Sequence, residues 1–256
     1  TQLLVLDVQA EGTAVWHLVD EGADVVTEGA AVRGVLDWPR RYRHMQRHTA
    51  QHVLSQALVR VNPEFDTRSV SMRGPDCTID FGGLADAAAL AAVEAEANRA
   101  ARRAQAVMAF EVDEARLGEY RLRRPPKVTG LVRLVAVGDY DLVACGGTHL
   151  RNSAEALPIK IVGLEHVKGG VNRLTFRAGE EAQADYGEKH QVASALGVAL
   201  SSPLEDLVSR VEQLRAELAE ESRQLASARA AQAAALAEDL AARAEASSVV
   251  AVAPSP

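Results

Sequence analysis

RYRHMQRHTAQHVLSQALVRV, residues 41–61, is the stretch on which the fold turns. Met45, Val53, Leu54, Ala57, Leu58 and Val61 recur at helical spacing, and Pro63 cannot continue a helix. The spacing predicts a helix over 41–61, and strand-like runs lie on both sides of it. Upstream, Leu3–Val8, Ala14–Val19 and Ala31–Leu36 are short apolar runs separated by glycine and acid turns. Downstream, Ser69–Met72 and Thr78–Phe81 flank the turn Arg73-Gly-Pro-Asp76, and alanine-rich Asp86–Ala106 forms a second helix. Val107–Val112, Leu131–Val137, Leu142–Ala144, Ile159–His166 and Val171–Arg177 follow as strands, the last pair joined through Lys168-Gly-Gly170. Strand runs interrupted by two long helices predict an α+β fold with antiparallel sheet, not a doubly wound one.

After Gly179 the period is helical to the end. Ser202-Pro203 supplies a helix start, and Leu204, Leu207, Val211, Leu214, Leu218 and Leu225 form a seam at 3–4 spacing. Leu236 and Leu240 fall out of phase with it. A helix over Pro203–Ala246 is expected to be a rod of about 66 Å.

The chain of 256 residues has room for one large domain or two small ones, and its 48% apolar content suffices for a core. Aromatic content of 4% argues against a single-stranded nucleic-acid reader built on stacked rings. No run approaches the roughly 18 apolar residues of a membrane span. Two cysteines, Cys77 and Cys145, are too few for a disulfide framework, and the first segment lacks the basic start of a signal peptide. A reducing cytoplasm is the expected compartment. The net charge of −7 is unevenly spread: residues 201–256 hold nine acids against five arginines. Arg40, Arg41, Arg43 and Arg47 cluster locally, as do Arg121, Arg123, Arg124 and Lys127, so the acidic total does not exclude a nucleic-acid partner.

Three histidines of the first helix, His44, His48 and His52, stand four residues apart, a spacing that puts neighbours on one face. His44/His48 and His48/His52 are both possible metal-binding registers. Cys145-Gly-Gly-Thr-His149 follows a strand, and its glycines allow a turn tight enough for thiolate and imidazole to converge. Together these donors are the set zinc prefers. A helical zinc protease needs Glu directly after the first histidine; Thr49 stands there, which disfavours protease activity. Cys77 is expected in the core, and His17 and His166 are expected to be half-buried strand residues.

His48-Thr-Ala-Gln-His52 with Cys145-Gly-Gly-Thr-His149 resembles the paired motif of the alanyl-tRNA editing domain, found inside alanyl-tRNA synthetase and in the freestanding AlaX group. Asp37-Trp-Pro-Arg-Arg-Tyr-Arg43, Ile79-Asp-Phe81, Pro158-Ile-Lys-Ile-Val162 and Ser202-Pro-Leu-Glu-Asp-Leu207 agree with the same family. The resemblance selects the register His48/His52. It implies a small N-terminal β-barrel portion over 1–38, a zinc-dependent editing domain over 39–183 and a helical coiled-coil tail over 184–256. The family's Gly-Gly-Gln barrel segment and the globular domain after the coil are not in the chain, so a trimmed long form is expected.

The resemblance further implies hydrolysis of serine or glycine from mischarged tRNA(Ala), with one zinc per chain on His48, His52, Cys145 and His149 as metal ligands and catalytic centre. A small pocket rejects a slightly different side chain by only about 1–3 kcal/mol, which is why a second, correcting site exists. Thr67, Ser69 and Ser71 are candidates to bind the serine hydroxyl; Arg123, Arg124 and Lys127 are candidates for tRNA phosphates, as are Arg40, Arg41 and Arg43. Thr49, Asp139 and Asp141 are candidates to orient ligands. The expected partner is the acceptor end of tRNA(Ala), with no membrane and a weak homodimer through the C-terminal helix. The alternatives are a non-catalytic zinc-stabilised tRNA-binding module, an editing fragment of a full synthetase, and a coiled-coil interaction protein.

Overall fold

The computed structural model describes residues 2–126, 129–167 and 169–243, the side chain of Ala23 excepted. Helix α1 (Trp38–Val61) is its central element. It begins earlier than the apolar spacing predicts because Asp37 caps it, accepting from the Arg40 backbone at 3.1 Å, and Pro39 fits the first turn. Ala50, Val53, Leu54, Ala57 and Leu58 are wholly enclosed, and so are the polar Thr49 and Ser55. A helix buried on its polar side too must find partners for those groups, and that requirement builds the site.

Strands β1 (Val5–Glu11) and β2 (Ala14–Val19) form an antiparallel hairpin. The expected third strand, Ala31–Leu36, is irregular, and no closed barrel forms among the described residues. Two strands bury neither face, so Leu4, Val15, Trp16 and Leu18 are all exposed. The exposed positions include His17, expected half-buried, and the same correction applies to His166 further along.

The main sheet is antiparallel, in the order β3 (Thr67–Ser71), β4 (Cys77–Phe81), β9 (Val171–Ala178), β8 (Ile159–Val167). In β4, Cys77, Ile79 and Phe81 are buried and alternate with half-buried Thr78 and Asp80; β9 buries Asn172, Leu174, Phe176 and Ala178 in the same rhythm. Helices α1 and α2 (Ala87–Ala101) pack on that face in one core with Phe65, Val93 and Ala97. Helix α2 ends at Ala101, five residues short of the expected Ala106, with Arg102 as its cap, and Ala104 turns left-handed with φ +54°. Asn98 on α2 pins the sheet by bonding both the N–H (3.1 Å) and the C=O (2.7 Å) of Ile159.

A second antiparallel sheet runs β5 (Val107–Asp113), β6 (Leu131–Val137), β7 (Asp141–Ala144). Val132 and Leu134 join Val112 in a small core of their own, while Val137 reaches the main one. Strand β7 therefore ends beside α1, and the Cys145–His149 turn begins there.

Helix α3 (Gly179–Leu200) is tied to this body by its first turns: Glu181 forms a two-point ion pair with Arg47, one contact at 2.8 Å, and Ala182 is buried. The rod expected from Pro203 begins at Leu207, and its expected end at Ala246 lies outside the described residues. Ser201 takes the left-handed conformation (φ +50°), Leu204–Asp206 make one tight turn, and α4 (Leu207–Arg243) then runs about 55 Å. Leu207 lines a groove with Val192 and Leu196 of α3, but Val211, Leu218 and Leu225 are exposed, and no second helix covers that seam among the described residues. Among the described residues no helix is long and apolar enough to cross a membrane.

Candidate metal centre

The buried polar side of α1 meets the turn after β7. His48 and His52 lie one turn apart on the helix, and Cys145 and His149 face them from the turn, 97 residues from His48 to Cys145. One ligand atom from each of the four lies within 4.8 Å of the others. Cys145 Sγ is 3.3 Å from His48 Nε2 and 3.4 Å from His149 Nε2. His44 is not in the group; its Nδ1 faces Arg47 at 3.5 Å.

Gly147 is what permits the approach. A Cβ built there would stand 2.2 Å from His48 Cε1, whereas one on Gly146 would meet nothing within 4 Å. The turn is further held by Arg133, whose guanidinium donates to the carbonyls of Cys145 (2.6 Å) and Gly147 (2.9 Å).

Two of the histidines are backed by a second group. Thr49 Oγ1 accepts from the Leu150 backbone at 3.1 Å and sits 3.3 Å from His149 Nδ1. His52 Nδ1, wholly buried, lies 3.2 Å from Asp141 Oδ2, an ionic contact off the line of a well-aligned hydrogen bond. Asp141 in turn takes the Arg123 guanidinium at 2.7 Å. With both Nδ1 atoms so engaged, the Nε2 atoms of His52 and His149 are left to face the centre.

The electrostatics favour a cation. Burial opposes ionisation of Cys145, but contacts from His149, His48 and His52 and the Gly147 N–H outweigh it and hold the thiol down to about 3. Burial keeps His149 neutral down to about 4. Burial also opposes charge on His52, yet Asp141 and Cys145 overcome it and draw a proton toward that ring. Thiolate and neutral imidazole, the forms held by Cys145 and His149, are the ligand forms a metal needs, and an ion would displace the proton drawn to His52; three His with one Cys are zinc-type donors.

The segment holding Cys145 and His149 is also the part that a family model recognises: residues 132–175 match the threonyl and alanyl tRNA synthetase second additional domain. Over 237 residues the chain is 32% identical to the alanine–tRNA ligase of Pyrococcus abyssi, an alignment covering 88% of this chain and 25% of that protein. The ligase of Thermococcus kodakarensis is 36% identical over 70% of this chain and 20% of its own length. That of Pyrobaculum calidifontis is 34% identical, over 84% and 25%. The chain belongs to the alanyl-tRNA synthetase-related editing domains. It spans about a quarter of the length of the curated relatives it matches.

In this editing domain the remaining candidates separate. Asp141 and Thr49 touch ligands; Asp139 does not, and binds Gln105 instead. Thr67 donates to Ser55 on α1 at 2.9 Å, and Ser55 also accepts from Gln51 at 2.8 Å, one turn beyond His52. A bulge between Thr67 and Ser69 breaks the row of hydroxyls, so Ser69 turns to Asp80 (2.8 Å) and Ser71 is exposed. Arg123 corrects its expectation as a surface phosphate contact: its side chain is 6% exposed and committed to Asp141. Arg121 and Arg124 on the same segment are exposed, and Lys127 lies outside the described residues. Cys77 is core, its thiol pushed up to about 12 by burial. Sequence reasoning missed Arg123 and Arg133 as supports; for Arg133 the available signal was a charge inside a mostly buried strand.

Proposed function

We propose that this editing domain hydrolyses the ester between a wrong amino acid, serine or glycine, and the terminal ribose of tRNA(Ala), at a zinc centre held by His48, His52, Cys145 and His149. The observation that carries the reading is the convergence of four zinc-type donors from two distant segments within 4.8 Å. When bound, zinc supplies Lewis acidity toward an ester carbonyl or acidifies water. The chain's own contribution is positional. Cys145 serves as a thiolate ligand and not as the nucleophile, Thr49 and Asp141 fix two imidazoles, and Arg133 holds the Cys–His turn in place. Thr67 is the hydroxyl best placed to read a serine side chain, since its partner Ser55 lies one helical turn from His52. A polar group that hydroxyl satisfies would be left unpaired by alanine, and this is a strong basis for rejection. Exposed Arg121 and Arg124 supply phosphate contacts for the acceptor end. The setting for this role is the cytoplasm.

Four protein ligands are also the composition of closed structural zinc sites, which favours a second reading as a zinc-stabilised tRNA-binding module. Deacylation assays with serine-, glycine- and alanine-charged tRNA(Ala) side by side separate the two. Selective loss of serine or glycine supports the esterase; binding without hydrolysis of any of the three supports the module.

A further inference from the structure

Behind His52 stand two charges that the reaction itself does not require. The Asp141 side chain is fully buried and the Arg123 side chain is 6% exposed, at 2.7 Å from each other. Asp141 turns its other oxygen to His52 Nδ1 at 3.2 Å, so guanidinium, carboxylate and imidazole form a line that ends at a ligand. The line crosses three segments. His52 is on α1, Asp141 opens β7, and the Arg123 segment is fastened to β7 by its backbone N–H on Leu142 O at 2.8 Å. A buried ion pair is a poor way to gain stability, because desolvation offsets its attraction and apolar residues of equal volume often do as well. A carboxylate facing Nδ1, however, assigns the hydrogen to that nitrogen and leaves the Nε2 lone pair for an ion. His149 receives the corresponding service from the neutral hydroxyl of Thr49. Among the described residues only His52 of the four donors is backed by a charged side chain, and that charge is itself clamped.

We propose that Arg123 and Asp141 are a positioning pair for the metal: Arg123 fixes the carboxylate, and the carboxylate fixes the tautomer and ring plane of His52. Metal affinity is then set in part by a side chain, Arg123, that is committed to Asp141 and is not itself a ligand. This rests on the reading of the four-donor cluster as a zinc centre.

The test uses the full chain as wild type, Asp141→Asn, Arg123→Gln and the double variant Arg123→Gln/Asp141→Asn. The double variant removes both charges together and so leaves no unpaired buried ion to disturb the fold. Zn(II) affinity is read by competition with a chromophoric chelator, the ligand field by the visible spectrum of the Co(II) form, and metal-free stability by urea unfolding. The expected result is a loss of about 10–100-fold in Zn(II) affinity for Asp141→Asn and the double variant, with an altered Co(II) spectrum. The metal-free double variant should unfold near the wild-type midpoint. Unchanged affinity and spectrum in the double variant overturn the proposal, as does an affinity loss that merely follows a loss of metal-free stability. A wild type that shows no cysteine–cobalt absorption and no difference from Cys145→Ser defeats the zinc reading itself, and the positioning role with it.

Discussion

Replacing Gly147 by Ala tests the geometry of the centre with one methyl group. Gly147 has no left-handed φ, so alanine is not strained by its backbone; the conflict is spatial. The new Cβ would stand 2.2 Å from His48 Cε1 and 2.5 Å from its Nδ1. Ordinary carbon contacts lie at about 3.5–4.0 Å, so ring or turn must yield by about 1 Å or more. The His48 ring is the far end of a side chain and can swing away cheaply, so the fold should hold. The metal cannot follow, because zinc sites tolerate only about 0.2 Å in ligand distance. Loss of one ligand in four should lower Zn(II) affinity by at least the ~100-fold that even supporting residues can cost, roughly 2.7 kcal/mol. Gly146→Ala is the control, since its Cβ meets nothing within 4 Å. Chelator competition on both variants, with thermal melts of the metal-free forms, checks this. Wild-type affinity in Gly147→Ala, or equal losses in both, would refute the reasoning.

The metal-free fold should lose stability as pH falls from about 6.5 to about 4. The native Cys145 titrates near 3 and His149 near 4, both below their unfolded values, so the unfolded chain binds more protons in that window. Urea unfolding after chelation, at several pH values, reads the slope, and a flat profile contradicts it. Arg121→Ala with Arg124→Ala should weaken tRNA binding and reduce its log–log salt slope by about one unit per lost contact. An unchanged slope returns both arginines to plain solvation. Leu54→Ala, at a wholly enclosed position of α1, should destabilise by about 2–5 kcal/mol in denaturant titration. A cost near zero would mean that α1 is not the core of the body. Deleting residues 207–256 should abolish any dimer seen by light scattering and leave the melt of the remaining chain unchanged; a persistent dimer places the interface elsewhere.

What was legible in the sequence is what local chemistry dictates. Spacing left two histidine registers open and the resemblance selected His48/His52; those two converge with Cys145 and His149, although only Gly147 of the two glycines is sterically needed. Strand β9 shows its alternation plainly because it is paired on both sides. The start of α1 was signalled by Asp37 and Pro39, outside the apolar repeat. The N-terminal barrel was not legible, because Ala31–Leu36 has strand composition but no paired neighbour among the described residues, and composition alone does not make a ladder. Arg123 was misread for a similar reason. In its own window, beside Pro125-Pro126 and two more arginines, it has the pattern of a solvated loop. Its fate is decided by the burial of Asp141, 18 residues away, which no local window contains.

The most direct test of the account is single-turnover deacylation of serine-charged tRNA(Ala) by the full chain as metal is removed and returned. The metal-free chain should be inactive and regain its rate in proportion to added Zn(II), saturating at one ion per chain, while Cys145→Ala stays inactive throughout. A chelated chain that deacylates at the full rate, or a Cys145→Ala variant with near-normal activity, would contradict it.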